Sequence, residues 1–215
     1  GLNMELFAKS NVRRTDLPGG VVELHSAEAL AGYPRSIPHL LHSWSAADPE
    51  RPLIAERDLA DGWTRLTYGQ VAAAADGIAE ALLERGLGPE RPLMVLSGNS
   101  IGHFVITMAA MTAGVPVIPV SVAYSLKSED HARLRAIAAL ARPGAVYAED
   151  GAAFAPAVAK LPGVPVIAKT APPAGGEVLD RLAATQAGGR LADAFAQIGP
   201  DTIAKILFTS GSTGT

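Results

Sequence analysis

Apolar positions along the chain change their period at Thr67. In TYGQVAAAADGIAEALLERG (Thr67 to Gly86), Val71, Ala74, Ala75, Ile78 and Leu82 fall on one stripe of a helix. Thr67 and Gln70 have the T-x-x-Q spacing of a capping box, and Gly86 supplies a left-handed stop. RPLMVLSG then reads as a short strand, and NSIGHFVITMAAMTAG as a helix capped by Asn99 or Ser100 and stopped at Gly114. VPVIPV is the next strand. Ser128 is the expected cap of a helix over SEDHARLRAIAALARP, with Glu129 and Asp130 at the positive end of its dipole. GAVYAE reads as a strand, GAAFAPAVAKLP as a weak helix broken by Pro156, and VPVIAK as a further strand. Thr170 to Gly189, rich in Pro and Gly, is expected to be a surface connection holding one short helix, and AKILFT (Ala204 to Thr209) is the last strand.

Continuously apolar strands separated by helices predict an α/β fold, a mostly parallel sheet flanked by helices on both faces. The first 66 residues differ. GGVVELHS reads as a strand, SIPHLLHSWSAADP as a helix ended by Pro49, and PLIAERD with GWTRLTY as a hairpin-like pair. The expected division is a lead-in segment, 1–66, packed on the same domain, followed by an α/β subdomain, 67–215.

Composition narrows the chemistry. At 215 residues the chain is long enough to bury a core, and its net charge of −3 gives no reason to expect a nucleic acid or an anionic membrane as partner. There are no cysteines, which excludes disulfides, thiolate zinc sites and a cysteine nucleophile. His39 and His42 lie three apart without a ligand-spaced Cys or carboxylate, so no metal site is expected there; His25, His103 and His131 are isolated and read as surface or hydrogen-bonded structural residues. Alanine inflates the mean hydropathy of +0.22. The longest apolar run, Phe104 to Val120, is shorter than the roughly 20 residues of a spanning helix and contains Gly114, Pro116 and Pro119. No secretory pattern opens the chain, and the expected location is the cytoplasm.

The tail, AKILFTSGSTGT, carries the candidate chemistry. A strand running into Gly, Ser and Thr presents free backbone N–H groups and hydroxyls, a cradle suited to phosphate oxygens. On composition and spacing two readings fit these residues, a flexible Ser/Gly terminus and a Walker loop of a nucleotide triphosphatase; a third comes from a resemblance.

FTSGSTGT resembles the phosphate-binding signature of the adenylate-forming superfamily, which includes acyl-CoA synthetases, luciferases and peptide-synthetase adenylation domains. LTYGQV (Leu66 to Val71) and MTAGVPVIPVS (Met111 to Ser121) resemble two further elements of that superfamily, in the same order. GLGPERPLMVLSGNSIGH and VPVIPVSVAYSLKSEDHARLRAI are similar to bacterial feruloyl-CoA synthetases.

The resemblance implies the N-terminal part of the AMP-binding large domain, ATP, Mg and CoA as cofactors, and a small carboxylic acid as substrate, a hydroxycinnamate first and a fatty acid second. It further implies that Thr209, Ser210, Gly211, Ser212, Thr213, Gly214 and Thr215 hold phosphates, and that the catalytic residues lie in none of these 215 positions. The chain is then an N-terminal piece, inactive alone. The alternatives are a Walker-type P-loop NTPase and a non-catalytic scaffold of the same fold. Oligomeric state is left open.

Overall fold

The computed structural model describes residues 12–16, 22–26, 37–57, 63–120 and 131–197. Two antiparallel pairs come first. Strands β1 (Val12–Asp16) and β2 (Val22–Ser26) pair from Val12 against Ser26 to Asp16 against Val22. After helix α1 (Ile37–Ala47), β3 (Pro52–Arg57) pairs with β4 (Trp63–Thr67), the two strands expected as a hairpin.

Helix α2 (Tyr68–Glu84) follows directly. Both halves of its capping box are made: the Gln70 amide donates to Thr67 Oγ1 at 3.1 Å, and the Thr67 amide donates to Gln70 Oε1 at 2.9 Å. At the other end Gly86 takes φ +82°. Its amide donates to the Leu83 carbonyl and the Leu87 amide to that of Leu82, the paired bonds of a Schellman stop. Val71, Ala75, Ile78 and Leu82 are buried as the stripe predicts, with Ala74 partly so.

Strands β5 (Leu93–Leu96), β6 (Val117–Val120), β7 (Ala145–Asp150), β8 (Val166–Thr170) and β9 (Glu177–Val178) form one parallel sheet in the order β6-β5-β7-β8-β9. Helix α3 (Ile101–Ala113) joins β5 to β6, starting from Ser100, whose Oγ accepts the His103 amide, and stopping at Gly114 with φ +71°. Helix α4 (Ala132–Ala141) precedes β7 and α5 (Ala155–Val158) precedes β8. Beyond β9 come α6 (Leu179–Ala183) and α7 (Gly189–Ala196).

Side-chain alternation along the strands divides the core in two. Leu93, Val95, Val117, Ala145, Tyr147 and Ile167 face a large cluster shared with α1, β3, α2, α3, α6 and α7. Met94, Leu96, Val120, Val146 and Ala148 face a smaller one, closed by Leu134 of α4, Ala157 of α5, Phe154 and Leu161. Both sheet faces are therefore covered, as continuously apolar strands require.

The structure departs from the sequence pattern at several places, beginning with β1 and α7, which the pattern does not predict. Helix α4 starts at Ala132 behind His131, which has φ +53°; Ser128, Glu129 and Asp130 lie outside the described residues. Pro156 opens α5 instead of breaking it, because the first turn of a helix needs no N–H there. The connection after Thr170 contains β9, which pairs Glu177 with Ile167 and Val178 with Ala168. The expected strand at 204–209 lies outside the described residues.

Long-range polar contacts seat the outer helices. Arg85 donates from Nε to Glu177 Oε1 at 2.8 Å and from Nη2 to Oε2 at 2.5 Å, tying the end of α2 to β9. The buried Glu80 carboxylate accepts the Leu191 amide at 2.8 Å and serves as the cap that Gly188 cannot provide for α7. Phe195 of α7 stacks on His39. His42 bonds the Pro38 carbonyl and the Asp76 carboxylate at once, so both ring nitrogens donate; the Asp76 bond raises its pKa despite burial. Among the described residues no group of His, Cys, Asp and Glu could hold a metal ion, and no helix is long and apolar enough to cross a membrane.

Candidate functional site

The crossover β5-α3-β6 runs to one side of β5 with its helix on the larger cluster, whereas α4 and α5 pack on the other face and lead to β7 and β8. Strand order therefore reverses between β5 and β7. In an open α/β sheet the crevice beyond the carboxyl ends of two such strands is where ligands bind. Here it is bounded by the exposed Gly98 and Asn99 after β5 and by Gly151 after β7.

Glu149 is the hub of this edge. Its Oε2 accepts the Ser100 hydroxyl at 2.8 Å and the Tyr147 hydroxyl in a shorter contact, joining the start of α3 to the end of β7. Burial first, and then the Glu149 charge, holds the Tyr147 hydroxyl well above its ordinary pKa, so it remains a donor. From β3, Glu56 reaches the Ile101 amide at 3.4 Å; burial, augmented by Glu149, raises its pKa. Gly102 is the only residue type that fits between them, because a Cβ there would stand 2.2 Å from Tyr147 OH and 2.7 Å from Glu149 Oε2. Gly151 is equally constrained: a Cβ would lie 2.2 Å from the Ala171 carbonyl oxygen.

His103 lies one turn into α3 and is buried. Its Nδ1 faces the Gly98 carbonyl at 3.1 Å and must carry the proton, which fixes the loop leaving β5. Burial lowers the pKa of this ring, leaving Nε2 an unprotonated acceptor without a partner among the described residues. Thr107 Oγ1, one turn further along, is also unpartnered there. This arrangement gives His103 the hydrogen-bonded structural role expected of it, with one buried acceptor to spare.

Of the elements that carry the sequence resemblance, LTYGQV is now a capping box with Tyr68 buried beneath it. The Tyr68 ring meets Trp44 edge-on, and burial pushes its hydroxyl up to about 12. MTAGVPVIPV is the end of α3, its glycine stop and β6. Thr209, Ser210, Gly211, Ser212, Thr213, Gly214 and Thr215 lie outside the described residues. The Ser100–Glu149–Tyr147 cluster has no sequence signal beyond the cap itself, since its members meet only when β5 and β7 become neighbours.

A parallel sheet wound in both directions, with helices on both faces, defines an open α/β domain. The chain belongs to the AMP-binding enzyme family, whose model matches residues 41–215. It is 36% identical over 87 residues to a salicylyl-CoA synthase / salicylate adenylyltransferase of Streptomyces, covering 40% of this chain and 15% of that protein. It is 27% identical over 227 residues to a phosphinothricin tripeptide synthetase of Streptomyces viridochromogenes, covering 94% of this chain and 16% of that protein. The fold is shared with a Rhodopseudomonas palustris structure named as a long-chain-fatty-acid CoA ligase, at TM-score 0.59 and 20% identity over 71% of this chain and 37% of that one. The chain thus spans well under half the length of each of these proteins.

Proposed function

We propose that the protein of which this chain forms part activates a carboxylic acid with ATP and transfers the acyl group to CoA. In the first step a carboxylate oxygen attacks the α-phosphorus of ATP, giving an acyl-adenylate and releasing pyrophosphate. In the second, the CoA thiol displaces AMP and loses its proton, giving the thioester. The observation that carries this reading is that the family match runs through Thr215 and so includes the whole Gly/Ser/Thr segment. The match does not favour a Walker-type NTPase.

Residues Thr209 to Thr215 are assigned to holding the β- and γ-phosphates. Their chemistry fits: glycines allow close approach of backbone N–H groups, and Ser210, Ser212 and Thr213 add hydroxyl donors without negative charge. Magnesium, when bound, supplies further charge neutralisation on the triphosphate. A hydroxycinnamate is the preferred acid and a fatty acid the second. The hydroxycinnamate reading rests on the sequence similarity of 86–103 and 115–137 to feruloyl-CoA synthetases and on the aromatic acid that the Streptomyces relative's name gives.

The test is pyrophosphate release by the longer protein containing this sequence, with ATP, CoA and either ferulate or palmitate. Ferulate-dependent release, lowered at least about a hundredfold by Ser212→Ala with Thr213→Ala, is the expected result. The isolated 215-residue chain should release none. Turnover by the isolated chain, or a longer protein that hydrolyses ATP without any acid, overturns the reading.

A further inference from the structure

The opposite edge of the central sheet carries a feature the ligase reading does not use. A concavity of about 480 Å³ opens where the connections enter the amino ends of β5, β7 and β8. Four cations line it: Arg91 before β5, Arg135 and Arg142 from α4 and its end, and Lys160 after α5. No acidic side chain lines it, and none of the four cations has an ion-pair partner among the described residues. The floor is apolar, with buried Leu161 and half-buried Val164.

Cations near the last turn of α4 complement its dipole, which accounts for Arg142. The same reasoning covers Arg91, whose guanidinium lies over Gly86 at the end of α2, but not Arg135, which sits near the start of α4. Arg142 itself has φ +50°, a left-handed conformation that glycine or asparagine adopts more readily at a helix end. In a chain of net charge −3, four cations with no ion-pair partner among the described residues are a local excess around one hollow that an anion would relieve. Guanidinium forks match phosphate oxygens two at a time, and the volume lies in the range of small-molecule sites.

We propose that this amino-edge hollow is a second anion site, taking a phosphate monoester whose apolar substituent rests on Leu161 and Val164 while Arg91, Arg135, Arg142 and Lys160 hold the phosphate. It involves none of residues 209–215, so it stands or falls separately from the ligase reading.

The test is a titration of the isotope-labelled chain with phenyl phosphate, inorganic phosphate and benzoate, followed at the amides of Ala139, Leu161, Gly163 and Val164. Phenyl phosphate should shift these amides saturably and bind tightest, with inorganic phosphate weaker and benzoate weakest. Arg142→Gly should weaken phenyl phosphate at least about tenfold without lowering Tm, because it removes a charge and relaxes the backbone together. Arg135→Gln with Lys160→Gln, which leaves the backbone alone, should weaken it similarly. Absence of saturable shifts, equal binding of benzoate, or unchanged affinity in the double variant overturns the proposal.

Discussion

The two edges of the central sheet handle charge in opposite ways. At the carboxyl edge, Glu149 accepts hydroxyls from Ser100 and Tyr147, and Glu56 lies against the first amide of α3. At the amino edge, Arg91, Arg135, Arg142 and Lys160 line a hollow in which no acid pairs with them among the described residues. One edge uses its polar groups to hold strands and helix together. The other leaves them available. Substitutions should therefore be felt in stability at the first edge and in binding at the second.

The sharpest break of that contrast is Gly102→Ala. Alanine would gain about 1 kcal/mol in helix propensity, but its methyl would meet Tyr147 and Glu149, both anchored by the network. The expected net loss is about 2–3 kcal/mol in urea unfolding. A neutral result would show that the edge gives way easily. Tyr147→Phe removes one donor from Glu149 and should destabilise by about 1 kcal/mol.

At the amino edge, Arg135→Gln and Lys160→Gln should each stay within about 0.5 kcal/mol of the parent, since both side chains are exposed and form no ion pair among the described residues. The smallest effect concerns Glu56. Its pKa is raised on folding, so its contribution is complete in acid and is lost as pH climbs through and above the usual carboxylate range. Unfolding followed across that range should show a downward slope that Glu56→Gln flattens.

What could be read beforehand follows the range of the interactions. Helix α2 was legible from both ends because Thr67, Gln70 and Gly86 act on atoms within a few residues of themselves. The strands β5, β6, β7 and β8 were legible because burial on both faces leaves unbroken apolar runs. Strand β9 was not, since two residues have no period and its anchor, Arg85, lies 92 positions away. Glu80 as the cap of α7 is hidden for the same reason. Pro156 misled because its meaning depends on where the helix starts, which proline itself helps to set. The carboxyl-edge cluster needs Ser100 and Glu149, 49 positions apart, to be neighbours. The phosphate-loop assignment for Thr209 to Thr215 comes from motif alone.

The clasp between Arg85 and Glu177 has a further consequence for how the sheet ends. A flank of unpaired strand is an invitation for another chain to add itself. Here the outermost strand on the described side is two residues long, and its first residue is gripped by a helix on the neighbouring layer. Among the described residues β9 thus offers an added strand a template of only two residues.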